Sequence, residues 1–408
     1  HRYSMHNNSK LSASKSLALK VTALALVGSI SLVGPMLYQQ EEERRRAGQK
    51  ASDSEQNFGD LTVSSDKPDF AAIEDVNKKN ALLRYITNAF NGDLTVTAMA
   101  YDNSWNSADQ IPQRAIDQGL VSELGSLDTT LGGSSSRYSL STNWQGQNFK
   151  ASAYFIDYDL NLYSNFSYFL NDPLNGDQFN QQDSRKISGG ALSYQFNSNM
   201  FSFPTLHTIG LELRHDDIDN VALHNTKAKR ILSTVRQDDL KETSYSSYWQ
   251  TQLQFNEKLE TTVGVRYDYF DTEVNSNMAV NSGSANDDLV SFKASINYLM
   301  TDSLAAYANW GQSFHSNDAR GATIDIDPVT LTETDKVDLL VKSEGAEIGI
   351  RYFDQKHFNL SAALWWLTLD SELLFVGDAG NTEPSDASKR YGLEISAYYW
   401  INNNISID

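Results

Sequence analysis

From about Ala81 onward the chain alternates apolar and polar residues with a period of two. Val263, Val265, Tyr267 and Tyr269 alternate with Gly264, Arg266 and Asp268. Ile209, Leu211 and Leu213 alternate with Gly210, Glu212 and Arg214, and Ile348, Ile350 and Tyr352 with Glu347, Gly349 and Arg351. Leu393, Ile395, Ala397 and Tyr399 repeat the pattern, while Leu360–Trp366 is apolar on both faces. Successive side chains of a strand point to opposite sides, so each segment predicts a strand with one apolar and one polar face. The polar faces carry Arg, Glu and Asp. The apolar faces end in aromatics, among them Trp144 and Phe149, Tyr269 and Phe270, Trp310 and Phe314, and Tyr399 and Trp400. Rings at both ends of an apolar band match the interfacial girdles of outer-membrane barrels.

The breaks between segments sharpen the expectation. Asn91–Asp93, Gln145–Gln147, Asn256–Lys258, Thr301–Asp302 and Asp354–Lys356 are short, and Asn197–Leu206 is intermediate. Asn103–Ser135, Asn161–Arg185, Asp217–Lys241, Thr272–Asp287, Gln312–Val341 and Gly377–Ser388 are long. Short–long alternation is what an up-and-down barrel produces, with turns on the periplasmic side and loops outside. The strands between breaks run roughly 9–14 residues, enough for a tilted strand to cross a bilayer. The expectation is an all-β, antiparallel, up-and-down transmembrane β-barrel of about 13–14 strands. The last segment, Ile405–Asp408, reads as the start of a further strand. An unpaired edge is not tolerated in lipid, so the sequence reads as a fragment of a larger barrel.

The first 80 residues differ from this body. Lys10, Lys15 and Lys20 precede an uncharged run, Val21–Tyr38. A basic flank before an apolar stretch reads as an N-terminal hydrophobic helix over 1–38, either an export signal or an uncleaved membrane anchor. Residues 39–80 are polar and read as a linker, leaving 81–408 as the barrel portion.

Composition narrows the function classes. The 408 residues carry 33 Lys and Arg against 52 Asp and Glu, a net charge of −19. That balance argues against a nucleic-acid partner, which needs clustered basic residues. The absence of cysteine excludes disulfides, thiolate metal sites and cysteine nucleophiles. No constellation calls for a cofactor. His215, Asp216, Asp217 and His224 cluster in sequence, but a solvated loop face accounts for them. Gly132–Gly133 followed by three serines punctuates a loop, since no Lys or helix follows it as a phosphate cradle would require.

Several stretches carry a family resemblance. Ser303–Arg320 (SLAAYANWGQSFHSNDAR) resembles the "lYanwgqgFrp" strand and loop start of TonB-dependent outer-membrane receptors. Gly345–Tyr352 (GAEIGIRY) is similar to their "YEiGlK" strand. Leu360–Asp370 (LSAALWWLTLD) and Lys389–Glu394 (KRYGLE) are similar to the two strands that follow, with FVGDAGNTEPSDAS between them as an outer loop. The resemblance implies a barrel of about 22 strands occluded by an N-terminal plug. It further implies a Gram-negative outer-membrane location, surrounding lipid, and a siderophore-like small-molecule ligand. Energy-coupled import would run through the TonB complex. Neither a plug nor a TonB box is legible before Asn80, and no terminal aromatic strand follows, so on this reading the fragment alone would not perform gated import.

Candidate ligand contacts lie in the long connections. His315 and Arg320 would offer hydrogen bonds and charge to a carboxylate- or catecholate-bearing ligand, and Trp105 and Arg114 stand in the first long connection. Arg214, Arg266, Arg351, Glu212, Glu347 and Glu394 fall on polar faces and would line the lumen, with cross-strand ion pairs. Two other classes remain open. A passive porin-like channel shares the alternation and the girdles. An outer-membrane barrel enzyme would need a Ser/His or Asp/His pair at the membrane boundary.

Overall fold

The computed structural model describes residues 74–107, 109–123, 125–354, 358–371, 373–376, 381–384, 386–402 and 405–407. The apolar segment Val21–Tyr38 lies outside them. The chain runs as β1 (Asn77–Ala89), β2 (Gly92–Asn106), α1 (Gln113–Asp117), β3 (Gly132–Gln145), β4 (Phe149–Ser164), β5 (Phe179–Met200), β6 (Phe203–Lys227) and β7 (Arg230–Gln254). It continues as β8 (Leu259–Ser276), a 3-10 turn (Ala279–Asn281), β9 (Gly283–Thr301), β10 (Leu304–Ser316), α2 (Ala319–Thr323), β11 (Leu340–Phe353) and β12 (Phe358–Leu369). A small hairpin, β13 (Leu373–Val376) and β14 (Asn381–Pro384), precedes β15 (Ser388–Asn402) and β16 (Ile405–Ile407).

Fourteen strands form one sheet in the order of the sequence, each antiparallel to the next, with β13–β14 as a separate two-stranded sheet. This is the up-and-down wall that the period-two pattern predicts. Within the described residues β1 and β16 pair on one side only.

The two faces differ as the alternation requires. On β6, Ile209, Leu211 and Leu213 are 45%, 60% and 47% exposed, and no second layer of the described residues covers them. Val263 and Tyr267 on β8, Ile348 and Ile350 on β11, and Leu393 and Ile395 on β15 are exposed likewise. Rows of bare aliphatic side chains on one face of a sheet are unfavourable in water but suited to hydrocarbon. Toward the short-turn end, rings link into a belt across β4 to β7. Phe149 meets Tyr194 at 4.5 Å between centroids, Tyr194 meets Phe196 at 5.9 Å, Phe196 meets His207 at 4.8 Å and His207 meets Trp249 at 5.8 Å. Amphipathic rings favour such an interface.

One connection differs from its sequence reading. Asp217–Lys241 reads as a long loop, yet β6 and β7 continue through it as a hairpin that turns on Ala228 and Lys229. Both turn residues have positive φ, 50° and 64°, the geometry of a type I′ turn, whose twist matches that of the strands. β6 and β7 have 25 residues each, about 80 Å of extended chain, well beyond what a tilted crossing needs. Along the excess the regular hydropathic alternation fades. Phe201–Ser202 closes β5 to β6 in the same manner, with φ of 52° and 68°.

Candidate functional site: a charged inner wall

The inner face carries Arg–Asp pairs two residues apart. Side chains at i and i+2 of a strand lie on the same face, so an R-x-D or D-x-R triplet places a guanidinium beside a carboxylate without help from a neighbouring strand. Asp183 and Arg185 pair on β5, and Arg214 and Asp216 on β6 through two bonds of 2.7 and 2.8 Å. Arg236 and Asp238 pair on β7. On β8 the Arg266 Nε lies 2.9 and 3.0 Å from the two Asp268 oxygens. The fifth pair, Asp318 and Arg320, flanks the start of α2 rather than a strand. Fork-to-carboxylate geometry makes such pairs strong and directional.

Cross-strand contacts tie these pairs into a wall. Arg266 also donates from Nη2 to Glu212 on β6 at 2.7 Å, reaching past β7. Ser246 of β7 donates to Asp268 at 2.6 Å. The Tyr248 ring lies 6.0 Å from the Arg266 guanidinium and covers Gly210, where an added Cβ would meet the ring at 2.3 Å. Gly210 is thus the only residue type that lets Tyr248 lie flat on the wall. On β10 and β11, Tyr307 donates to Glu347 and lies 4.5 Å beneath the Arg351 guanidinium. Arg214, Arg266, Arg351, Glu212 and Glu347 lie on the face opposite the aliphatic rows; of the cross-strand ion pairs expected among them Arg266–Glu212 forms, and Tyr307–Glu347 adds a cross-strand hydrogen bond. Glu394 is exposed on β15.

The four candidate ligand contacts fall into two groups. Trp105 is half-buried near the end of β2 and Arg114 is exposed on α1. His315 ends β10 and Arg320 lies on α2, eight strands further along the sheet. The structure brings Arg320 to the inner wall, with its Nη1 3.8 Å from Asp238 of β7. Burial alone would push the Asp318 carboxyl up, but the Arg320 guanidinium, its backbone N–H and nearby Arg236 overcome this and hold it down at about 2. The residues missed by sequence reading are Asp183, Arg185, Arg236, Asp238, Asp268 and Asp318. Their signal was the triplet spacing, repeated five times on a chain already known to alternate.

His215 and Asp216 point to opposite faces, and His215 pairs through Nδ1 with Thr243 at 2.9 Å. Among the described residues no group of three or more His, Asp or Glu side chains is placed to hold a metal ion.

A Ser–His contact does occur in the aromatic belt, with Ser198 Oγ 2.9 Å from His207 Nε2. The Trp249 indole lies 3.3 Å from His207 Nδ1 and can only donate, so Nδ1 is the acceptor and the proton sits on Nε2. Ser198 then accepts from the imidazole, whereas an activated nucleophile must donate to it. Thr251 Oγ1, 2.9 Å away, completes the Nδ1 side. The arrangement satisfies a histidine that is 5% exposed rather than priming a serine.

An open antiparallel wall with an apolar outer face, an aromatic belt and a charged inner face defines an outer-membrane β-barrel. The profile described as TonB dependent receptor-like, beta-barrel matches residues 65–407, and the chain belongs to that family, whose members are transport receptors of the Gram-negative outer membrane. Among solved structures, the unliganded ferric citrate transporter FecA aligns at 14% identity with a TM-score of 0.62, covering 79% of this chain and 48% of that one. The copper transporter OprC aligns at 14% identity and a TM-score of 0.58, over 80% and 51%. BauA, the ferric preacinetobactin receptor of Acinetobacter baumannii, aligns at 11% and 0.56, over 80% and 52%. These likenesses establish the fold, and the chain spans about half the length of those proteins. No curated protein sequence matches it.

Proposed function

We propose that the intact protein is an outer-membrane receptor for energy-coupled uptake of a bulky anionic nutrient of the ferric siderophore type, driven by the TonB complex. The observation that supports this most is the position of Arg320. It sits on a folded connection beyond the strands of the wall, at the head of a series of inward guanidiniums that offers successive partners to a carboxylate or catecholate. In this reading His315 and Arg320 contact the ligand from one side. Trp105 and Arg114 contact it from another, as an aromatic face and an exposed charge. Family membership favours coupled transport over the passive channel that the same alternation would allow. Growth of cells carrying the full-length gene on a candidate iron chelate, with and without TonB, tests the proposal. Uptake that persists unchanged without TonB refutes it in favour of a pore.

A further inference from the structure

The connection between β10 and β11 is a folded strap. Ala319 has no exposed surface and packs with Ile218 of β6, Leu240 of β7 and Val274 of β8. Asn281, in the connection from β8 to β9, holds the strap farther along. Its Oδ1 accepts from the N–H groups of Asp325 and Ile326 at 3.0 and 2.9 Å, and its Nδ2 donates to the Ile326 carbonyl at 2.8 Å. Thr323 Oγ1 donates to the Asn281 carbonyl at 3.0 Å. At the entry to the strap, Asp318 takes both edges of the Arg320 fork, with Nη2 at 2.6 Å and Nε at 3.0 Å.

This docked arrangement is incompletely satisfied underneath. Among the described residues, Arg236 Nη2 and Asp238 Oδ1 are buried with no hydrogen-bond partner, on side chains 8% and 0% exposed. Buried charged atoms without partners oppose the state that buries them. The entry of the strap is held to the wall by the Ala319 methyl group and by Arg320, whose Nη1 faces Asp238 of β7 at 3.8 Å, and the Asp318–Arg320 pair fixes that guanidinium in place. The Asp318 side chain keeps 33% of its surface open, so that pair can be contested from the lumen.

We propose that the strap Asn317–Leu339 is a latch closed by an internal anion. Asp318 occupies the place on Arg320 that a ligand carboxylate would take. A carboxylate-bearing ligand displaces it, Ala319 leaves its pocket, and water reaches the Arg236–Asp238 pair. The inference rests on the receptor reading for the source of that ligand. The latch itself is measured without transport.

The chain has no cysteine, so Ala319→Cys in the full-length protein, held in outer-membrane vesicles, supplies a single thiol in this chain. Val329→Cys, at an exposed strap position, is the reference, and Thr323→Cys, at a buried one, is a second probe should the first disturb packing. Labelling by an impermeant maleimide should be slower at position 319 than at 329 by about tenfold or more, as local opening limits access. Malonate should accelerate labelling at 319 and 323 severalfold over sodium chloride at matched ionic strength, leaving 329 unchanged. Adding Asp318→Asn should make labelling fast from the outset and insensitive to malonate. Equal rates at 319, 323 and 329 without malonate would show that the strap is not docked. Malonate acting no better than chloride, or continued protection with Asp318→Asn, would show that Asp318 is not the latch. A failure of TonB-dependent uptake would leave each of these results standing, so the two readings fail separately.

Discussion

Arg266 holds two carboxylates in different surroundings, which allows its two bonds to be weighed against each other. Asp268 is 1% exposed at its side chain and Glu212 is 41% exposed. Replacing Asp268 with Asn keeps the shape but removes the charge that faces the Arg266 Nε, and it sets an amide against the Ser246 hydroxyl. Breaking a fully buried pair costs about 3–5 kcal/mol. Arg266 is 30% exposed and retains Glu212, so water recovers part of the loss and about 2–3 kcal/mol is expected. Glu212→Gln removes a contact that water already screens, for about 0–1 kcal/mol. Urea unfolding of the full-length protein in lipid vesicles, followed by tryptophan fluorescence, should therefore rank Asp268→Asn well below Glu212→Gln. The double variant should cost more than the sum, because the second substitution strips Arg266 of its last carboxylate. Equal losses for the single variants, or a strictly additive double variant, would refute the claim that burial decides which bond of the wall matters.

Leu211→Arg on the outer face should destabilise the protein by about 2–4 kcal/mol in vesicles, and Gln250→Arg on the inner face by far less; comparable losses would mean the outer face does not meet lipid. Ala228→Gly should slow hydrogen exchange at the tip of the β6–β7 hairpin, reflecting a gain of about 0.5–1 kcal/mol from relief of its left-handed backbone. Asp318 is held below its ordinary value of 3.8, at about 2, so its contribution to the docked strap is complete above pH 4 and disappears as pH falls through about 2. Maleimide protection at Ala319→Cys is accordingly expected to hold from pH 7.5 down to about pH 5, the lower limit for the reagent, and loss of protection within that window would contradict the assignment.

Much of the wall was legible because lipid enforces a simple rule. Where Ile209, Leu211 and Leu213 face hydrocarbon, every second residue must be apolar, and period two survives in the sequence. The rule lapses outside the bilayer. From Asp217 to Lys241 one face is partly covered by the strap, at Ile218 and Leu240, the alternation dissolves, and a continuous hairpin reads as a loop. The site was half legible for a related reason. Parity alone places Arg214 and Arg266 on the inner face, while the pairing of each with the Asp two residues on depends on how the side chains turn toward each other. The meeting of Arg320 with Asp238, and of Asn281 with Ile326, joins the strap to a strand and to a connection far from it in the chain. It depends on how the strap folds back, which no local pattern encodes.

The habit of pairing Arg with Asp inside a single strand has an assembly consequence. A strand that carries its own counter-ion arrives at the membrane with that guanidinium already paired, whichever neighbour it finds there. An up-and-down barrel closes with an even number of strands, so it changes size by whole hairpins, and β5–β6 or β7–β8 could be gained or lost without stranding the guanidinium of a strand next door. Self-contained charge makes the hairpin, rather than the finished wall, the unit that must be viable.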